Sequence, residues 1–214
     1  MWVMKDFQVE NRALVEAFVR DNGLATLVSR GSDYPVATHI PLEWETTADG
    51  VPLLRGHMAK ANPHWHDFAA HAQVLAIFQS PVQHYISSSW YDHPNAPTWN
   101  YLSVHIVGNI SIIEGQALWD SVSRLTDRYE QQFARRPVAL DTLPAAVQKQ
   151  MQGIVGFEIT LDHVQASFKM SQNRHATDYQ SIIQELQALQ TPGARLMADA
   201  MISMRQAPQC PVGH

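Results

Sequence analysis

Apolar and polar positions change period several times along the chain, and each change predicts a new element. From Asn11, Leu14, Val15, Phe18 and Val19 recur at helical spacing until Asp21-Asn22-Gly23 stops them. Three short β-prone runs follow, Leu24–Ser29, Tyr34–Trp44 and Val51–His57. They are separated by Gly31-Ser32-Asp33 and Thr47-Ala48-Asp49-Gly50, the punctuation of hairpins in an antiparallel meander. At Asn62-Pro63 a favoured N-cap precedes a favoured first helical residue, which predicts a helix to about His71 with Trp65, Phe68 and Ala69 inward. Strands are expected around Val74–Gln79 and Val82–Ile86. A loop from Ser87 to Trp99 carries Pro94 and Pro97, and a long strand, Tyr101–Glu114, follows. Leu118, Val122, Leu125, Tyr129 and Phe133 mark a helix that Arg136-Pro137 ends. Residues Ile154–Phe168 read as strand. From about Ala176 the chain is helical, with Tyr179, Ile182, Ile183, Leu186 and Leu189 on one face. Thr191-Pro192-Gly193 breaks it before a short last helix.

Strands with one inserted helix and peripheral helices predict an α+β barrel. A doubly wound sheet is excluded by the missing βαβ alternation and the missing Gly-rich dinucleotide loop. With 214 residues, 45% of them hydrophobic, the chain can bury its own core. Its start lacks the basic and apolar regions of a signal peptide, and its least charged stretch, His71 to Tyr91, is broken by Gln, Ser, His and Pro81. No membrane association is expected, and the location expected is cytoplasmic. The single cysteine, Cys210, stands in a Pro-rich tail and reads as a free surface thiol; it excludes an internal disulfide and a thiolate metal cluster. A net charge of −5 with scattered Lys and Arg argues against direct DNA binding, which draws its affinity from neutralised phosphates.

Candidate chemistry concentrates in a few segments. Arg55, Lys60 and the start of the Asn62 helix place cations beside unpaired backbone N–H groups, which suits a phosphate, and Gly56 would let a ligand approach the backbone. The plainer reading is a strand-to-helix turn with two surface cations. Tyr85-Ile-Ser-Ser-Ser-Trp-Tyr91 and Pro97-Thr-Trp-Asn-Tyr101 combine hydroxyls, an amide and aromatic rings, a mixture that suits a flat heteroaromatic ligand or simply pins a loop to the core. No nucleophile elbow surrounds the serines, so a hydrolase is not expected. Lys169-Met-Ser-Gln-Asn-Arg174 brings two cations to a strand-to-helix connection. The histidines cluster at His57, His64, His66 and His71 without a ligand spacing, so no metal site is expected; one of them as an axial haem ligand stays open.

Together these blocks resemble the PaiB family of FMN-binding negative transcriptional regulators. The matching stretches are Ala37–Leu42, Gly56–Trp65, Tyr85–Tyr91, Pro97–Tyr101, Gly153–Phe157 and Lys169–Arg174, in order over about residues 1 to 200. The resemblance implies an FMN-binding split β-barrel, antiparallel and similar to pyridoxamine-phosphate oxidases, with peripheral helices and a helical C-terminal region. It implies a homodimer with FMN in the groove between subunits, and repression of protease and sporulation genes in Gram-positive bacteria. Residues 1–174 would form the barrel domain, 175–204 helices packed on it and 205–214 a flexible tail. The FMN phosphate is expected near Arg55, His57, Lys60 and the Asn62 helix, whose matching block ends at Trp65. Ser87, Ser88, Ser89 and Trp90 would line the ring or the ribityl chain. Trp99 and Asn100 would contact the ring from the other side of the groove, and Lys169, Ser171 and Arg174 would close the site. A flavin-dependent oxidoreductase or NAD(P)H–flavin reductase is the alternative, because hydride transfer needs few protein acid–base groups. A haem-binding split barrel ranks below it.

Overall fold

A computed structural model describes residues 1–206; Cys210 and most of the expected 205–214 tail lie outside the described residues. Seven strands form one antiparallel sheet: β1 (Leu24–Arg30), β2 (Pro35–Thr46), β3 (Pro52–Ala59), β4 (Gln73–Ile86), β5 (Thr98–Ile113), β6 (Ile154–Thr160) and β7 (His163–Lys169). Their order is β4-β1-β2-β3-β6-β5-β7, and β4 also pairs with β5. The pairings therefore close a ring of six strands, with β7 attached outside it on β5. This is the split-barrel, pyridoxamine-phosphate-oxidase-like fold. The helices are α1 (Arg12–Asp21), α2 (Gly115–Phe133), α3 (Ala145–Gln148), α4 (Ala176–Leu189) and α5 (Pro192–Gln206).

Contacts divide the chain into two compact units. One holds Arg12–Phe78 and His105–Val164; the other holds Met1–Asn11, Gln79–Val104 and the described residues from Gln165 on. In the first, β1 pairs with β2 (Leu27↔Thr38), β2 with β3 (Trp44↔Leu54), and β3 with β6 (Gly56↔Phe157). The period-2 pattern turns Leu27, Leu42, Leu54, Ile106, Phe157 and Ile159 fully inward. Each such side chain contributes about 1.5–3 kcal/mol by leaving water. In the second unit Tyr179, Ile182 and Leu186 of α4 meet Met197 and Met201 of α5 as a buried layer. The Tyr179 hydroxyl donates to the Met201 carbonyl at 2.7 Å.

Three expectations are corrected. The helix expected from Asn62 to about His71 is a 3-10 helix of five residues, Pro63–Asp67. Asn62 does cap it, accepting from the His64 N–H at 3.0 Å, but His64 points into the core, and its two ring nitrogens are bonded to Ser29 (2.7 Å) and Thr38 (2.8 Å). That buried polar clamp fixes the segment where an amphipathic stripe would need a longer helix. The two strands expected on either side of Pro81 are one, because the N–H of Val82 finds the Ser80 hydroxyl at 3.1 Å and the missing proline donor falls at an exposed position. The single strand expected at Ile154–Phe168 is two, flanking β5 on opposite sides. The chain passes over β5 at Gly108, where a Cβ would lie 1.6 Å from the Thr160 carbonyl oxygen.

Replacing Gly108 by alanine should therefore cost about 3 kcal/mol or more, read as a lowered midpoint in chemical denaturation; a change within about 0.5 kcal/mol would show that the crossing relaxes freely. A pH effect is expected as well. Burial lowers the pKa of His57, His64 and His105 from the ordinary 6.5, so the folded state favours the neutral rings. The unfolded chain binds more protons below 6.5, so this stability is present above that pH and is lost as pH falls through the lowered folded values. Melting temperature should decline from pH 7 to pH 5; a flat profile would contradict it.

Candidate functional site

The residues marked out by the sequence fall into two groups, one in each compact unit. In the first, β3 carries Arg55 and His57 and ends just before Lys60. Arg55 is half-buried, and its guanidinium is held by Glu45 (2.8 Å) and Glu158 (3.1 Å) on the neighbouring strands. Two carboxylates already compensate one cation, so Arg55 is part of the sheet's ion network. Gly56 is likewise explained without a ligand: a Cβ there would meet Leu42 at 2.6 Å and the Pro41 carbonyl at 2.9 Å, so the space belongs to β2. Lys60 is exposed, and its carbonyl accepts from the Trp65 indole at 3.0 Å, which folds the segment back on itself. Asn62 uses its amide on the cap and on Thr38 (3.3 Å). The five-residue 3-10 turn aligns few peptide dipoles, so the macrodipole expected at Asn62 is weak. His57 is half-buried and kept neutral by desolvation.

The second group gathers more unspent chemistry. A short 3-10 helix, Ser88–Trp90, is capped by the Ser87 hydroxyl, which also meets Ser89 at 2.9 Å. Trp90 stacks on His84 with ring centroids 6.2 Å apart, and Trp99, 55% exposed, stands edge-on to the exposed Tyr85 at 5.9 Å. Asn100 and Ser171 are both buried, and Ser171 donates to the Asn100 amide oxygen at 3.0 Å. Ser171 adopts a left-handed conformation (φ 58°) that turns the chain after β7, and that bond offsets the strain of a non-glycine there. The turn delivers two cations. The Lys169 ammonium donates to the Thr98 hydroxyl, and its pKa is lowered by burial and then by the charge of Arg174. Arg174 lies over the Tyr91 ring at 5.0 Å with its Nε buried and unpartnered, and the Tyr91 hydroxyl is unpartnered too. Among the described residues neither cation meets a carboxylate. Two neighbouring positive groups with no counterion, beside exposed aromatic faces, form a place suited to an aromatic anion.

Sequence reasoning missed His64 as a buried clamp and Tyr91 as the face under Arg174. The pairing with Ser29 and Thr38 has no local signature; an aromatic residue in the Tyr85–Tyr91 block was the available hint for the second. A separate cleft of about 560 Å³ opens beside the β1–β2 turn, lined by Arg30, Asp33, Tyr34 and Gln73 among others. It contains none of the residues singled out by the sequence and no buried unpartnered side-chain atom.

Residues 1–163 match the family described as "Putative FMN-binding domain". The chain is 40% identical over 202 residues to the protease synthase and sporulation protein PAI 2 of Bacillus subtilis, covering 94% of this chain and 96% of that protein. Among solved structures it is similar to an FAD- and haem-binding protein from Mycobacterium smegmatis, with a TM-score of 0.57 and 17% identity over 76% of this chain and 73% of that one. A flavocytochrome from Azotobacter vinelandii gives a TM-score of 0.54 and 16% identity over 76% and 69%. At these identities the two structures establish the fold alone.

Charge accounting separates the candidates experimentally. Arg55→Met should cost about 2 kcal/mol of stability by leaving Glu45 and Glu158 facing each other, yet change FMN affinity less than about twofold. A large loss of affinity at unchanged stability would return Arg55 to the binding site.

Proposed function

The chain belongs to this FMN-binding domain family, and from that membership we propose that it acts in the cytoplasm as a PaiB-type negative regulator of transcription, a homodimer holding FMN in its groove. The observation that carries the reading is the 40% identity, over nearly the full length of both chains, to a protein named for protease synthesis and sporulation. The cofactor fits the residues present. FMN is a flat aromatic ring with a phosphate tail, and the second unit offers exposed Trp99 and half-buried Trp90 beside serine hydroxyls. It also offers Lys169 and Arg174, which no carboxylate among the described residues neutralises. Lys60, with His57, Asn62 and Trp65 around it, is the other ligand group that the family resemblance implies, and the two groups are tested separately.

Bound FMN supplies a redox-active ring whose state a regulator can report. The protein's part is to bind and orient it. Lys169 already loses some of its preference for the charged form to burial and to Arg174, so an anion placed there relieves both costs. A net charge of −5 leaves little to neutralise DNA phosphates, so the regulatory output is assigned to contacts with other proteins. Among the described residues no helix is long and apolar enough to cross a membrane.

The decisive experiment is the absorption spectrum of freshly purified protein titrated with FMN, alongside its mass in solution. A two-band flavin spectrum saturating at one FMN per chain, with a mass twice that of the chain, is expected. Lys169→Gln with Arg174→Gln should weaken uptake about tenfold or more, and Lys60→Gln should do the same if its group binds the phosphate. No saturable uptake, or a monomer, would overturn the proposal. Tight sequence-selective DNA binding at physiological salt would overturn the assignment of the output to protein contacts.

A further inference from the structure

Near the start of α4 a carboxylate is buried without an evident reason. Asp178 is 1% exposed. One of its oxygens, Oδ1, accepts from the Asp92 backbone N–H at 3.1 Å, while Oδ2 is buried and receives no hydrogen bond. A buried carboxylate oxygen left unmet is costly, and it calls for a positive partner. The nearest candidate is His93 Nδ1, at 3.7 Å, too far for a hydrogen bond and already directed to Asp92 Oδ1 at 2.7 Å. Asp92 is itself held from behind, its Oδ2 accepting from Thr177 at 3.4 Å. Each carboxylate thus has one oxygen tied back and one oxygen facing the imidazole.

We propose that Asp92, His93 and Asp178 form a binding site for a first-row divalent cation such as Zn(II) or Mn(II). One ligand atom from each of the three lies within 4.8 Å of the others. Bonds of about 2.1 Å to a shared ion require ligand atoms about 3.0–3.4 Å apart, so the distances of 2.7 and 3.7 Å bracket the need and side-chain rotations suffice. One imidazole nitrogen with two carboxylate oxygens is a borderline donor set. It suits Zn(II), Mn(II) or Co(II) better than a site built from oxygen or thiolate alone. The two carboxylates balance the ion's charge. Asp92 and His93 are exposed, so the remaining coordination positions face water. The cation takes the place of the proton between His93 and Asp92. The imidazole keeps a proton on Nε2, where the Asn95 side-chain amide, 3.3 Å away, accepts it after turning its oxygen inward.

Isothermal titration of tag-free, metal-stripped full-length protein with ZnCl2, and separately with MnCl2, tests the site, with no dependence on flavin. Saturable binding of one ion per chain is expected for at least one of the two. His93→Gln and Asp92→Asn, both at exposed positions, should each weaken it about tenfold or more, as should Asp178→Asn if that variant keeps the native circular dichroism. Anomalous scattering from a soaked crystal should place the ion among the three side chains. No saturable binding of either metal, or binding that His93→Gln and Asp92→Asn leave unchanged, overturns the proposal.

Discussion

The arrangement of this chain turns on one close passage. Thr160 runs over Gly108 with no room for a methyl group between them, and this lets β6 and β7, adjacent in sequence, sit on opposite sides of β5. The short link is also tied down: the Asp162 N–H donates to the Val107 carbonyl at 2.9 Å, and Asn109 donates to the Asp162 carboxylate at 2.6 Å. A side chain at Gly108 would have to push the strand connection outward, against those bonds. With β6 committed to β3 and β5, the ring of six strands closes, and β7 is left free to carry the Lys169–Arg174 turn.

Charge is distributed by the same economy. Arg55, Arg124 and Arg128 meet the carboxylates of Glu45, Glu158 and Glu43, holding α2 and the β2–β3–β6 strands together. Glu43 is 8% exposed, and its Oε2 pairs with Arg128, which offsets part of the cost of burying its charge, while Oε1 is buried without a hydrogen bond. Nothing comparable is done for Lys169 and Arg174. In a chain that compensates its other half-buried cations, these two stand side by side with no carboxylate among the described residues, and the Arg174 Nε–H is buried without a partner, which supports the proposed anion site.

Most strands and helices were legible because their burial is periodic: β1, β2, β3, α1, α2 and α4 fall within a few residues of the apolar runs that predict them. The failures share a cause. The Asn62 segment and the β6–β7 break are decided by polar or steric contacts to residues distant in sequence: Thr38 and Ser29 for His64, and Thr160 for Gly108. The exception is β4, where the deciding contact is local but belongs to a side chain, Ser80 on the Val82 N–H. Periodicity records which face is wet. It cannot record which hydroxyl waits in the core.

The candidate site is marked in the sequence by composition, and the structure adds the partners that composition does not carry. Cations and aromatics mark the candidate segments, but a sequence cannot show which arginine is already paired. Arg55 and Arg174 look alike in their motifs; two glutamates on neighbouring strands separate them. Histidine shows the converse. The cluster that attracts attention in the sequence places its buried member, His64, between two hydroxyls, where both ring nitrogens are used and none remains for a metal. His93 stands apart from that cluster in an ordinary-looking loop, and its second carboxylate comes from Asp178, eighty-five positions after it. Ligand spacing is informative only when the ligands share an element. When a loop and a helix start supply them separately, an unmet oxygen in the folded chain is the signal, and only the fold can display it.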